Sequence, residues 1–257
     1  MSYMFNRARA FNQDLSGWDV SSVKNMSFMF WGTLEFNQDL SGWGVRVSRV
    51  NNMRYMFRGA SSFNQDLSGW DVSRVTNMNS MFRGATAFNQ DLSGWDVSSV
   101  MNMGLMFCRA TVFNQDLSGW NVSKVRYMAH MFFDAWLFDQ DLSEWDVSRV
   151  TNMRCMFKDA TSYNHDLSGW DVSRVTDMNS MFYGTTLLTT TLQRTMHMST
   201  FFDGVYRDMP REERRQAFAG VFRWQRRRAF LLFLVNHGYL YSASAPSNYK
   251  DPCATKP

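Results

Sequence analysis

The chain has 257 residues, 27 Lys and Arg against 23 Asp and Glu, and a formal net charge of +4. Its hydrophobic content of 45% is ordinary, but Phe (22), Met (20) and Trp (10) are abundant and Pro (4) is scarce. The three cysteines, Cys108, Cys155 and Cys253, are odd in number and lack metal-ligand spacing. This argues against both a disulfide framework and a zinc site.

A near-copy of Phe-Asn-Gln-Asp-Leu-Ser-Gly-Trp-Asp-Val-Ser appears seven times. The steps between its tryptophans are 25, 27, 25, 25, 25 and 25 residues, and the tryptophans are Trp18, Trp43, Trp70, Trp95, Trp120, Trp145 and Trp170. A period of this length indicates a repeat architecture, in which each unit buries its apolar face against its neighbours. We therefore predict a half repeat followed by seven repeats over residues 1–184, with each tryptophan buried.

Within one repeat the sequence predicts a short helix followed by a short strand. Thr76 is the predicted N-cap, and Met78, Met81, Phe82 and Ala85 have the i, i+3, i+4, i+7 spacing of one helix face. Gly84 is expected to adopt a left-handed conformation near the helix end. Residues 90–93 are too short for a helix and are predicted as a strand with its leucine inward.

One strand and one helix per 25 residues predict a leucine-rich-repeat-like solenoid with a parallel stack of strands. A leucine recurs in every copy between an Asp and a Ser, and an Asn column is broken only by Asp139. We expect that Asn column to form a structural hydrogen-bond ladder. Two extra residues within Gly44-Val45-Arg46-Val47 predict a local bulge, and Glu144 in place of a repeat glycine indicates that this position does not need a positive φ.

The string Met-Phe-x-x-Ala-x-x-Phe-Asn-Gln-Asp-Leu-Ser-x-Trp-Asp-Val-Ser-x-Val-Thr-Asn-Met resembles the repeat of BspA-like leucine-rich-repeat surface proteins, also described in mycoplasma lipoproteins. The resemblance covers residues 1–184. It implies a surface or secreted protein that acts in adhesion or protein binding without catalysis. No export signal or membrane-spanning segment is recognisable in the chain, so its localisation is left open.

The end of the chain departs from the repeat pattern. Residues 185–206 are predicted as a shortened, degenerate repeat, 207–240 as a basic amphipathic helix that caps the stack, and 241–257 as a disordered tail. Residues 185–257 carry 11 basic and 5 acidic groups, whereas 1–184 carry 16 and 18. An alternative role for the helix is contact with a polyanion through arginines; the candidates are Arg223, Arg226, Arg227 and Arg228.

No catalytic motif is present, and we expect neither an enzyme nor a cofactor or metal site. The Asp columns are expected to accept hydrogen bonds from turn amides, with bound calcium as the less favoured alternative. A basic column is a candidate binding surface and consists of Arg49, Arg74, Lys124, Arg149 and Arg174. We expect it to form charge ladders with a neighbouring acidic column, which consists of Asp19, Asp71, Asp96, Asp146 and Asp171. The second candidate surface is the variable pair before each Met-Phe, as in Arg54-Tyr55, Gly104-Leu105, Ala129-His130 and Arg154-Cys155.

Two functions follow from these features. The first is a non-catalytic, monomeric repeat protein that presents an extended solenoid surface to a protein partner, with no small-molecule substrate. The second is an intracellular scaffold whose arginine-rich helix contacts an acidic partner, an anionic membrane surface or RNA.

Overall fold

The structure is a computed structural model that describes residues 1–167 and 169–185. Its contacts divide the chain into Met1–Asp208 and Met209–Pro257, and the described residues belong to the first unit. The predicted degenerate repeat (beyond its first residue), capping helix and tail lie outside the described residues. Within them, a single regular element is present, a 3₁₀-helix at Ser41–Val47.

Successive repeats lie side by side in parallel register. One residue of each repeat forms a parallel β-bridge with the matching residue of the next; the linked residues are Asn25, Asn52, Asn77, Asn102, Tyr127, Asn152 and Asp177. Each pairing joins positions 25 or 27 residues apart, which is the repeat step of the sequence. The predicted stacking of repeat on repeat is therefore present over the described residues, while its classification as a leucine-rich-repeat-like solenoid stays a prediction.

Alternate amides join each repeat to the next. In the repeat that begins at Val75 the four donors and acceptors are Met78 to Asn102 (3.0 Å), Ser80 to Gly104 (2.9 Å), Phe82 to Met106 (2.9 Å) and Gly84 to Cys108 (2.8 Å). The amides between them close turns within the repeat, as Met81 N–H donates to the Met78 carbonyl at 3.1 Å. The segment thus combines strand-like bonding between repeats with turns inside each repeat.

The predicted helix over residues 76–85 is wrong. Ser80 and Gly84 have φ of 57° and 70°, and a left-handed residue at every fourth position cannot continue a right-handed helix. The four apolar residues assigned to the helix face are nevertheless fully buried, because the chain of turns also directs them inward. The left-handed conformation predicted for Gly84 is confirmed, although no helix precedes it.

The predicted strand over residues 90–93 is also wrong. Gln90, Asp91 and Leu92 form no bridge, and the β-bridge of this repeat lies instead at Asn77, next to the predicted N-cap. The inward position of the leucine is confirmed, since Leu92 is fully buried. The inward leucine is thus present, but the β-bridges between repeats lie in the segment before Met-Phe.

The core consists of aromatic columns that run from repeat to repeat. Phe57 stacks on Phe63 of its own repeat at 4.1 Å and on Phe82 of the next at 5.7 Å between ring centroids. The tryptophans form a parallel column, with Trp95 and Trp120 6.5 Å apart. Of the seven repeat tryptophans predicted to be buried, six are buried and Trp18 is half-buried.

The 3₁₀-helix lies in the repeat that contains the two-residue insertion. Val45 in this helix is 78% exposed. Gly44 stands where most other repeats have Asp, and a Cβ atom there would lie 2.7 Å from the Gly69 carbonyl oxygen. The longer repeat is therefore accommodated by a close backbone approach that only glycine permits.

Candidate binding surfaces

The polar residues that recur in every repeat bond to the stack itself. The Asn64 side-chain oxygen accepts the Asn89 backbone N–H at 2.9 Å and the Gln90 side-chain amide at 3.0 Å. The same pair of bonds recurs at Asn12, Asn37, Asn89 and Asn114. The predicted Asn ladder is confirmed, and these side chains are committed to structure.

The aspartates and tryptophans are used in the same way. Asp91 accepts the Ser93 backbone N–H at 2.8 Å, and this bond is the main reason that the pKa of Asp91 is lowered. Trp95 donates its indole N–H to the Leu67 carbonyl of the preceding repeat at 2.9 Å. The expected bonding of Asp to turn amides is confirmed.

The described residues contain neither a metal-ligand cluster nor a membrane-spanning helix. Among residues 1–167 and 169–185, no three His, Cys, Asp or Glu side chains lie together as a metal site would require. Cys108 and Cys155 are buried and not in disulfides. Over this described part of the chain, no helix has the length and hydropathy needed to cross a membrane.

The predicted basic column is exposed on one face. All five members, Arg49, Arg74, Lys124, Arg149 and Arg174, have exposed side chains. In the described part of the chain none of them has a carboxylate oxygen within 4.0 Å. The column is thus free to meet a partner, and the charge ladder expected with the acidic column is not one of direct ion pairs.

The acidic column acts on the later part of this column at longer range. The pKa of Asp96 is lowered mainly by hydrogen bonds from Ser98 and further by the charge of Lys124. Arg149 and Arg174 make the same minor contributions to the lowered pKa values of Asp146 and Asp171, again after serine hydrogen bonds. The cations from Lys124 onward are therefore partly offset by neighbouring carboxylates.

The first two members of the column lie in a shallow groove. Its volume is about 570 Å³, and it is lined by Lys24, Arg49, Asn51 and Arg74. Lys24 and Asn51 were absent from the predicted set because they belong to the next outward-facing position of the repeat. Arg49 and Asn51 flank the buried Val50, and this i, i+2 relation could have shown that the two columns are adjacent.

The second predicted surface is the variable pair before each Met-Phe, and the structure places the residue after Met-Phe beside that pair, as Arg58 lies 5.2 Å from the Tyr55 ring centroid. We name these three positions of each repeat the variable strip. Its residues are Ser27, Phe28, Trp31, Arg54, Tyr55, Arg58, Asn79, Ser80, Arg83, Gly104, Leu105, Cys108, Ala129, His130, Phe133, Arg154, Cys155, Lys158, Asn179, Ser180 and Tyr183. Their identities differ from repeat to repeat, while the surrounding Met, Phe and Ala positions barely change.

Rings and cations stack along the variable strip. Phe28 lies 4.6 Å from Tyr55, and the Arg54 guanidinium lies 4.9 Å from the Phe28 ring. Arg58 sits 5.0 Å from the ring of Trp31. Such contacts hold buried and half-buried aromatic and arginine side chains, of types enriched at protein interfaces, in fixed positions.

The later repeats continue this pattern around a histidine. Lys158 lies between two rings, 5.1 Å from Phe133 and 5.1 Å from Tyr183. Burial and then the charges of Arg154, Arg83 and Lys158 lower the pKa of His130 to about 4. His130 is therefore neutral at neutral pH.

The predicted polyanion contact at Arg223, Arg226, Arg227 and Arg228 lies outside the described residues.

The bonded, registered repeats define a repeat protein. The chain belongs to the family described as "Mycoplasma protein of unknown function, DUF285", whose model matches residues 1–47, 44–137 and 115–205. No curated protein and no solved structure matches the chain significantly.

Proposed function

We propose that this chain is a non-catalytic, BspA-like leucine-rich-repeat solenoid that binds another protein through the variable strip of its repeats. The observation that supports this most directly is that recurring and variable residues occupy separate positions within each repeat. The residues that recur in every copy make hydrogen bonds and packing contacts within the stack. The residues that vary are collected on one strip of buried and half-buried side chains, where rings and cations also stack between repeats.

The chemistry of the strip supports a protein partner. It carries half-buried Trp31, Tyr55 and Arg58, and Trp, Tyr and Arg are the side chains that dominate binding energy at protein interfaces. The strip continues through consecutive repeats in fixed register, so a partner can contact several repeats at once. Cell-surface adhesion is the setting that the family resemblance suggests for this binding.

The experiment is site-specific photo-crosslinking with the full chain. A photoreactive amino acid is placed at Tyr55 or Leu105 on the strip, or at Val45 as an exposed control on the 3₁₀-helix. We expect the strip positions to trap the same partner and the control to trap none. That partner, once purified, is then tested for direct binding to the unmodified chain.

Two variants make the direct binding test specific. Tyr55→Ser should weaken binding of the purified partner, whereas Val45→Ser should leave it unchanged. Identical trapping from all three positions, or equal binding by both variants, would contradict the proposal.

A further inference from the structure

We propose that Lys24, Arg49 and Arg74, together with Asn51, form a docking groove for a short acidic segment of a partner protein. This inference rests on the proposed function and adds the chemistry of what the partner presents. The three cations and one amide line a depression of about 570 Å³, and no carboxylate lines it. An occupant with two or three carboxylates would neutralise the groove.

The groove differs in charge from the rest of the same face. The position that carries Asp19, Asp71 and Asp96 in other repeats is Gly44 in the repeat that leads to Arg49, and a side chain is excluded there by the Gly69 carbonyl. Asp19, the nearest earlier member of the acidic column, is instead influenced by Arg46. The acid that follows most of the tryptophans is therefore missing in the repeat that leads to Arg49, while Asp71 stands three residues before Arg74.

The hydrogen-bond donors of the groove are suited to binding carboxylates. Arginine presents a planar fork that binds carboxylate oxygens in pairs, and lysine adds a flexible point charge. The Asn51 side chain can donate a further hydrogen bond or bind a peptide backbone. None of the four lining residues has an aromatic ring on which a nucleic-acid base could stack, and such rings are typical of single-strand binding.

The length of the cation run points to a short segment. After Arg74 the same position holds Ser99, and the next position outward holds Met101, which is 45% exposed. Residues 1–184 as a whole carry 16 basic and 18 acidic groups, so a long polyanion would be repelled beyond the groove. Alternate residues of an extended peptide are about 6.6 Å apart, whereas neighbouring repeats are about 4.8 Å apart. The long Lys and Arg side chains can compensate for this mismatch over two or three contacts but not over a longer segment.

The test is fluorescence anisotropy of a labelled peptide with three Glu at alternate positions, titrated with the full chain. The triple variant Lys24→Gln, Arg49→Gln, Arg74→Gln is compared with Lys124→Gln, Arg149→Gln, Arg174→Gln, which removes the same charge from the same face. We expect the first triple to weaken binding about tenfold and the second to weaken it less than about threefold. Raising the salt concentration should also weaken binding.

Three controls make the outcome decisive. Thermal midpoints of both triples should match the unmodified chain within about 2 °C, since these are surface changes. A peptide with Gln in place of Glu should not bind. A single-stranded oligonucleotide and a sulfated oligosaccharide of equal charge are titrated in parallel.

The inference is overturned if both triples weaken binding equally, if the Glu peptide does not bind, or if either non-peptide polyanion binds more tightly through the groove. These outcomes differ from failure of the proposed function. Crosslinking from Tyr55 and Leu105 can trap a partner when the groove is inert, and a groove that binds the peptide while the strip traps nothing would contradict the proposed function alone.

Discussion

At the scale of single residues, the tryptophans show how packing and hydrogen bonding act together. Trp95 is 3% exposed, stacks on Trp120 and donates its indole N–H to the preceding repeat. Each ring therefore fills its own repeat and also ties that repeat to the one before it. Its loss leaves a cavity and removes one of the two hydrogen bonds that the Leu67 carbonyl accepts, the other coming from the Trp70 backbone N–H.

We predict that Trp95→Ala lowers the free energy of unfolding by about 3–5 kcal/mol, the usual cost of truncating a buried large side chain. Trp18→Ala is the matched control and should cost clearly less, because Trp18 is half-buried. Chemical denaturation of both variants measures the difference. Equal costs at the two positions would show that burial in the stack is not what makes the tryptophans important.

The asparagine ladder makes a more selective residue-scale prediction. Asn89→Ala removes an oxygen that accepts two hydrogen bonds from the next repeat, and it should cost about 1–3 kcal/mol. Asn89→Asp keeps the acceptor and should cost less, as Asp139 already accepts the Asn164 backbone N–H at 3.0 Å. Denaturation at neutral pH compares the two, and a costlier Asp variant would argue against the ladder.

At the scale of elements, the repeat is a series of turns whose direction is set by left-handed residues. Glycine supplies some of these positions, but Phe28, Tyr55 and Leu105 adopt φ of 60–61° without it. Non-glycine residues in this region are strained, and the four bonds to the next repeat hold them there. Part of this strain falls on the variable strip, the surface proposed to bind a partner, and part on the position of Gly84, where Arg109, Asp134 and Asp159 also have positive φ.

We predict that Gly84→Ala costs about 1–2 kcal/mol, because φ is 70° and any Cβ is strained there. The control is Gly94→Ala, where a Cβ meets nothing within 4 Å and φ is not positive. That change should be within about 0.5 kcal/mol of neutral, consistent with Glu144 at the equivalent position. Thermal melts of the two variants test this, and a neutral Gly84→Ala would contradict the left-handed turn.

The sequence was sufficient for the repeat register, the buried columns and the side-chain ladders. It was insufficient for the local elements, because i, i+3, i+4, i+7 apolar spacing is produced both by a helix and by turns that re-aim the chain every four residues. Tyr55, Leu105 and Cys155 adopt left-handed conformations although they are not glycines. The sequence at these positions therefore gives no indication that a helix is interrupted. The charge groove was half predicted: Arg49 and Arg74 came from one column, while the contribution of Lys24 depends on how neighbouring columns are packed.

At the scale of the whole molecule, the buried His130 contributes to the pH dependence of stability. Its pKa is lowered from 6.5 to about 4 in the folded chain, so between these values the unfolded chain binds a proton that the folded chain does not. His130 therefore leaves the free energy of unfolding unchanged above about pH 6.5 and lowers it progressively as the pH falls toward 4.

We predict that the melting temperature falls between pH 7 and pH 5, and that His130→Gln reduces this fall. The variant removes the group that the unfolded state protonates. Parallel melts at the two pH values provide the measurement. An undiminished fall in the variant would assign the pH dependence to other groups.

Repeats are joined by alternate amides of the Met-Phe segment and not by a strand at Gln-Asp-Leu-Ser. Residue-resolved amide hydrogen exchange of the full chain tests this directly. The account predicts slow exchange at Met78, Ser80, Phe82 and Gly84, which donate to the next repeat, and fast exchange at Gln90, Asp91 and Leu92, whose amides make no hydrogen bond in the described structure. Slow exchange at Gln90–Leu92 with fast exchange at Ser80 and Gly84 would contradict it.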